Sequence, residues 1–186
     1  MRIFIAIELP AAIKAALAEL QHELRQTQAQ VSWAKPDNLH LTLKFLAEVE
    51  AARINALAHA CEETARQHRA LSLRVDQLGF FPNPRQARVV WVGLAGDLSS
   101  LEQLQQQLEE QLVTLGLARE AKPFRPHLTL GRLKTPPKGK QLAEAVAAYR
   151  LPSIAFTVSE LVLMQSQLHP DGSVYTPLAR ARLSAV

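Results

Sequence analysis

His40 to Leu46 reads HLTLKFL, and His127 to Leu133 reads HLTLGRL. One chain thus carries His-Leu-Thr-Leu twice, each time on a stretch that reads as a β-strand. Side chains alternate faces along a strand. His40, Thr42 and Lys44 are therefore expected on one face, with Leu41, Leu43 and Phe45 on the other, toward a core. By the same rule His127 and Thr129 share a face opposite Leu128 and Leu130. Any polar residue would suit the outer face of such a strand, so imidazole plus hydroxyl, twice, is a specific choice. A single His-x-Thr means little, because a lone histidine of this kind is more often a satisfied structural residue. The second copy is what carries weight.

The copies sit in matching places of a larger repeat. Arg2 to Leu9 is rich in β-formers and reads as a buried strand. Pro10 opens a helix whose Ile13, Leu17, Leu20 and Leu24 recur at helical spacing. Val31 to His40 reads as a short strand and turn, and the first histidine strand comes directly after it. Ile54, Leu57, Ala58, Cys61 and Ala65 mark a second helix, and Leu71 to Phe81 another strand. A turn with two prolines leads to a strand near Arg88 to Gly96. Asp97 or Ser99 is a candidate cap for a helix carrying Leu101, Leu104, Leu108, Leu112 and Leu115, which Gly116 ends. The second histidine strand comes next. Leu142, Ala145, Val146 and Tyr149 suit a fourth helix, and Ala155 to Leu168 one long strand. Pro170 to Gly172 makes a hairpin turn. Strand, helix, histidine strand, helix, strand thus occurs over about 2–81 and again over about 88–168, with a closing strand at 173–183. Duplicated units often pack about a pseudo-twofold axis, which brings equivalent residues face to face. The expectation is one bilobal domain spanning 1–186.

The chain has 186 residues, 48% of them apolar, enough for one well-buried core. No stretch has the roughly 18 uncharged apolar residues of a membrane span. The first ten residues turn acidic too soon for a secretory signal. Cys61 is alone, so no internal disulfide can form, and a reducing, cytoplasmic setting is expected. The net charge of +4 and a pI of about 9.5 suit a polyanionic partner such as RNA, although many proteins without one share them.

Histidine exchanges its proton near neutral pH. Two histidines flanking one substrate can act as base and acid together, which suits in-line displacement at phosphorus. Hydroxyls two residues along are placed to bond the non-bridging oxygens. A metal site is the obvious rival, but His-x-Thr lacks nearby carboxylates or thiolates. No Gly-rich phosphate loop and no setting for a serine or cysteine nucleophile is present.

With RIFIAIELP at the start, WAKPDNLHLTLKFL, FRPHLTLGRL and LMQSQLHPDGSVYTPL near the end, the chain resembles the 2H phosphoesterases, specifically the bacterial RNA 2′,3′-cyclic phosphodiesterases also called 2′-5′ RNA ligases. The resemblance spans essentially the whole chain. It implies an α+β fold of two lobes, with antiparallel sheets flanking a central cleft. It implies hydrolysis of RNA 2′,3′-cyclic phosphate ends to a 2′-phosphate, without metal or other cofactor. It makes His40 the proton donor to the departing 3′ oxygen and His127 the acceptor that activates water. Thr42 and Thr129 would hold the phosphoryl oxygens, and Arg132 would contact phosphate. RNA ends, tRNA fragments among them, are the expected partner, for a monomer free of membranes. The residues themselves leave open which histidine plays which part.

Arg132 raises a difficulty, since strict alternation puts it opposite His127. A bulge at Gly131 would relieve it; otherwise Arg132 is a solvated surface charge. Lys44, Phe124, Trp33, Arg125 and Tyr175 are weaker candidates, each equally readable as packing or surface. His22, His59, His68 and His169 read as surface residues. The rival functions are a phosphodiesterase for small cyclic-phosphate nucleotides and an RNA-end-binding module without turnover. Reverse 2′-5′ ligation is a further possibility for the same site.

Overall fold

The computed structural model describes residues 1–185. Four helices, α1 (Ala11–Arg25), α2 (Ile54–Arg66), α3 (Leu98–Thr114) and α4 (Gln141–Ala148), alternate with nine strands. The strands are β1 (Arg2–Glu8), β2 (Val31–Trp33), β3 (His40–Glu48), β4 (Leu71–Phe81), β5 (Val89–Gly96), β6 (His127–Leu133), β7 (Ala155–Val158), β8 (Glu160–His169) and β9 (Gly172–Arg182). All nine form one sheet in the order β7-β4-β5-β6-β3-β1-β8-β9, with β2 also on β6. The α+β class and the antiparallel pairing hold. The two half-sheets are continuous, joined where Leu41 of β3 pairs with Leu128 of β6.

The two copies of the repeat are interlaced. β1 pairs with its own histidine strand β3 on one side and with β8, from the second copy, on the other. β5 pairs with its own β6 and with β4, from the first copy. The helices cross over too: α2 and α3 pack together against the half-sheet of β3, β8 and β9, while α1 and α4 pack together on the half-sheet of β4, β5 and β6. The stretch read as one long strand breaks at Ser159, with β7 on one half-sheet and β8 on the other. Neither copy can bury its apolar faces alone, because its last strand and first helix complete the other half.

The leucines set by helical spacing supply the core. Ile13, Leu17, Leu20 and Leu24 of α1 and Leu101, Leu104, Leu108 and Leu112 of α3 are all at most 1% exposed and pack on one face of the sheet. The other, concave face carries only a small apolar patch of Phe4, Ala6, Val162 and Met164. Asp97 stands at the N-cap of α3, but its Oδ2 accepts the Ser72 N–H at 2.8 Å instead of capping the helix. Gly116, with φ of +78°, lies just past the end of α3, a conformation that costs glycine little. Burial pushes the Cys61 thiol up to about 12. No described helix is long and apolar enough to cross a membrane.

The alternation rule fails partway along both histidine strands, in the same way. On β3, Ala6 pairs with Thr42 and Ile5 with Lys44, so Leu43 is an extra residue. On β6, Trp91 pairs with Thr129 and Val90 with Gly131, so Leu130 is extra. Each bulge reverses the facing of the residues beyond it. Lys44 is thereby turned away from His40 into the interior, where it forms an ion pair with Glu109 of α3. Its Nζ also donates to the Ala118 carbonyl at 3.0 Å, and Glu109 Oε2 accepts the Glu120 N–H at 2.9 Å. Phe45, read as core, is turned outward and is 48% exposed.

A buried pair broken on one side leaves an uncompensated charge. Glu109→Ala is expected to cost about 3–5 kcal/mol of stability, whereas the double change Lys44→Met, Glu109→Leu should recover most of that loss. Denaturant unfolding of the two variants checks this. Because the copies share strands and helices, calorimetry should show one cooperative transition for the whole chain, and residues 1–81 alone should stay unfolded.

Candidate active site

The Leu41–Leu128 pair sends both leucines into the core and leaves the flanking residues of both motifs on the concave face. His40, Thr42, His127 and Thr129 all line one cleft of about 430 Å³ there. Arg132 lines it too. The bulge at Leu130 restores it to the face of Thr129, because its partner Val89 and Thr129's partner Trp91 lie two apart on β5. Gly131 is not the extra residue. Its role is room: a Cβ there would sit 2.5 Å from Val31 Cγ1 and 3.0 Å from the Trp33 ring.

Both imidazoles are anchored alike. His40 Nδ1 lies 2.7 Å from the Asn38 carbonyl, and His127 Nδ1 lies 2.7 Å from the Arg125 carbonyl. A carbonyl only accepts, so each Nδ1 carries a proton and each Nε2 is left for exchange with a ligand. His40 Nε2 stands 3.0 Å from Thr42 Oγ1. When the ring is neutral that hydroxyl donates to Nε2; when it is charged, Nε2–H donates.

Aromatic rings seat each imidazole. His40 packs against Phe4 (centroids 4.8 Å apart) and edge-on to Tyr175 (5.3 Å), and Phe81 meets His127 edge-on at 5.0 Å. Burial in this setting pushes the His40 imidazole below its ordinary value. The Asn38 carbonyl opposes that shift, Lys14 adds to it, and Glu8 opposes it. The shift favours the neutral ring near pH 7, and an anion at its Nε2 would oppose it.

The cleft wall is basic and aromatic. Arg2, Lys35 and Arg132 line it, with Asp171 the acidic exception. The Arg2 guanidinium lies 5.6 Å over the Phe45 ring. Among the weaker candidates, Trp33 and Tyr175 line the cleft, whereas Phe124 lies on a separate groove beside α3. Arg125 contributes its carbonyl. Of the other histidines, His22 and His169 are exposed, while His68 is half-buried and bonds Gln107 at 2.7 Å. Among the described residues, no three His, Cys, Asp or Glu side chains cluster as metal ligands. Reading by residue type missed Phe4, Phe81, Arg2 and Phe45, whose aromatic or basic character pointed equally to core or surface.

The model of the 2′-5′ RNA ligase superfamily matches residues 9–170, across both histidine motifs. The chain belongs to this family. A protein of Methanothermobacter thermautotrophicus named RNA 2′,3′-cyclic phosphodiesterase is 33% identical, over 98% of this chain and 99% of its own. Among solved structures, TT0787 of Thermus thermophilus superposes with a TM-score of 0.81 at 30% identity, covering 98% of each chain. E. coli LigT complexed with 3′-AMP gives 0.76 at 30% identity, covering 99% of this chain and 98% of that one.

NMR titration should place the His40 midpoint below the ordinary 6.5 of a free imidazole, so that at pH 6.5 less than half of it is charged. Inorganic phosphate should raise that midpoint. A His40 midpoint above the ordinary value in the unliganded protein would contradict the burial seen here.

Proposed function

We propose that this protein hydrolyses the 2′,3′-cyclic phosphate ends of RNA to 2′-phosphates, using two histidines as acid and base. The observation that carries the reading is the matched pair of imidazoles on adjacent antiparallel strands, each held through Nδ1 by the carbonyl two residues upstream, with Nε2 turned to one cleft. The relatives' names supply the substrate class.

The family resemblance makes His40 the donor and His127 the acceptor. In the proposed reaction His127 Nε2 takes a proton from water as its oxygen bonds to phosphorus. His40 Nε2–H protonates the 3′ oxygen as the P–O3′ bond breaks. The product keeps its phosphate on the 2′ oxygen, and the histidines then exchange one proton with solvent. His40 gains its proton on binding, since the cyclic phosphate is an anion and offsets the burial that otherwise keeps the ring neutral. Thr42 and Thr129 bond the non-bridging oxygens, and Arg132 neutralises charge there. Donors aimed at developing charge in such a site supply much of the rate. With a 5′ hydroxyl in place of water, the same displacement would join it to the cyclic phosphate end through a 2′-5′ linkage, with the 3′ oxygen again leaving. The proposal includes a cytoplasmic monomer acting on RNA fragments such as those of tRNA.

His40→Ala and His127→Ala are each expected to lower turnover by about 10²–10⁴, the usual contribution of a positioned acid or base. Substrate affinity should largely survive. The assay is product analysis on an oligonucleotide ending in a 2′,3′-cyclic phosphate, with excess chelator present throughout. Near-normal rates in both variants would overturn the proposal, and loss of rate in chelator restored by zinc would transfer it to a metal. Faster turnover of mononucleotide cyclic phosphates than of oligonucleotides would reassign the substrate.

A further inference from the structure

α1 and α3 each bury one glutamine at the same place in their leucine face. Gln21 comes after Leu17 and Leu20, and Gln105 after Leu101 and Leu104. Gln21 is fully buried and Gln105 is 8% exposed. An amide in such a setting is unfavourable unless it is bonded. Gln21 Nε2 donates to the Leu130 carbonyl at 2.9 Å and to the Ala34 carbonyl at 2.9 Å. Gln105 Nε2 donates to the Leu43 carbonyl at 3.3 Å.

Leu130 and Leu43 are the extra residues of the bulges that directly follow the motif threonines; a further shift on β3 lies beyond them, at Leu46. The bonds also cross between the copies: a helix of the first holds the bulge of the second, and the reverse. Each bulge decides what the cleft receives. Past Leu130 it delivers Arg132, and past Leu43 it delivers Phe45. Regular pairing would send Arg132 to the leucine side instead. Gln21 Oε1 has no hydrogen-bond partner among the described residues.

We propose that Gln21 and Gln105 are positioning residues, whose side-chain amides lock the two bulges and thereby fix Arg132 and Phe45 on the cleft wall. The activity arm of the test rests on the phosphodiesterase reading above; the structural arm does not.

Gln21→Met keeps length and apolar shape while removing the donors. Its crystal structure should show the β5–β6 bulge lost or moved and Arg132 off the cleft wall. An unchanged bulge with Arg132 in place would overturn the proposal. In kinetics, Gln21→Met should lower kcat/KM about tenfold, near the worth of one or two buried hydrogen bonds. In an Arg132→Ala background the same change should cost under about twofold, because coupled residues are not additive. Gln105→Met should keep its full effect in that background. Equal losses from Gln21→Met in both backgrounds would mean packing alone and would sink the idea. If Gln21→Met does not fold, the same structure and the same cycle with Gln105→Met and Phe45→Ala decide it. A wild-type protein without turnover would sink the phosphodiesterase reading, while the crystal structure would still judge the amides.

Discussion

The single ladder pair of Leu41 with Leu128 is the constraint on which the cleft depends. It sets two antiparallel strands side by side with their leucines inward. His40, Thr42, His127 and Thr129 must then share the concave face. A slip of one residue in either strand would turn its histidine and threonine toward the helices. Beyond that pair, β2 takes the place beside β6, where Ser32 lies opposite Arg132 and Trp33 opposite Gly131. Space for a ligand arises there because the two histidine strands do not run together for long.

Two kinds of support act on the imidazoles. The upstream carbonyls of Asn38 and Arg125 fix tautomer and orientation, the task that a carboxylate performs in many acid–base sites. The aromatic neighbours fix position and exclude water. Around His40 the burial is strong enough to disfavour its charge, and the proposed acid role therefore calls for an anion in the cleft.

Much of this was legible in the chain. Element order came from helical and strand periodicity, and the paired motifs marked the right face for His40, Thr42, His127 and Thr129. Alternation failed after the third motif residue, and so misplaced Lys44 and Phe45. The cause is tertiary: a bulge is held by groups far away in sequence, here glutamines on α1 and α3, and no local pattern announces it. A signal was nevertheless present, since a glutamine interrupts the leucine face at the same point in both helices. The exchange of last strands between copies was hidden for a similar reason, because which strand pairs with which is not a local property.

The interlaced copies have one more implication. Two identical chains related by a true twofold axis would rebuild this cleft, with each lending its partner a helix and a strand. Such an assembly would have to place the same residue at both positions past the bulges. Only when both halves belong to one polypeptide can arginine stand at Arg132 while phenylalanine stands at Phe45. Covalent linkage of the halves is therefore what frees the two walls to diverge in chemistry, and gives a nearly symmetric frame a way to tell one end of its ligand from the other.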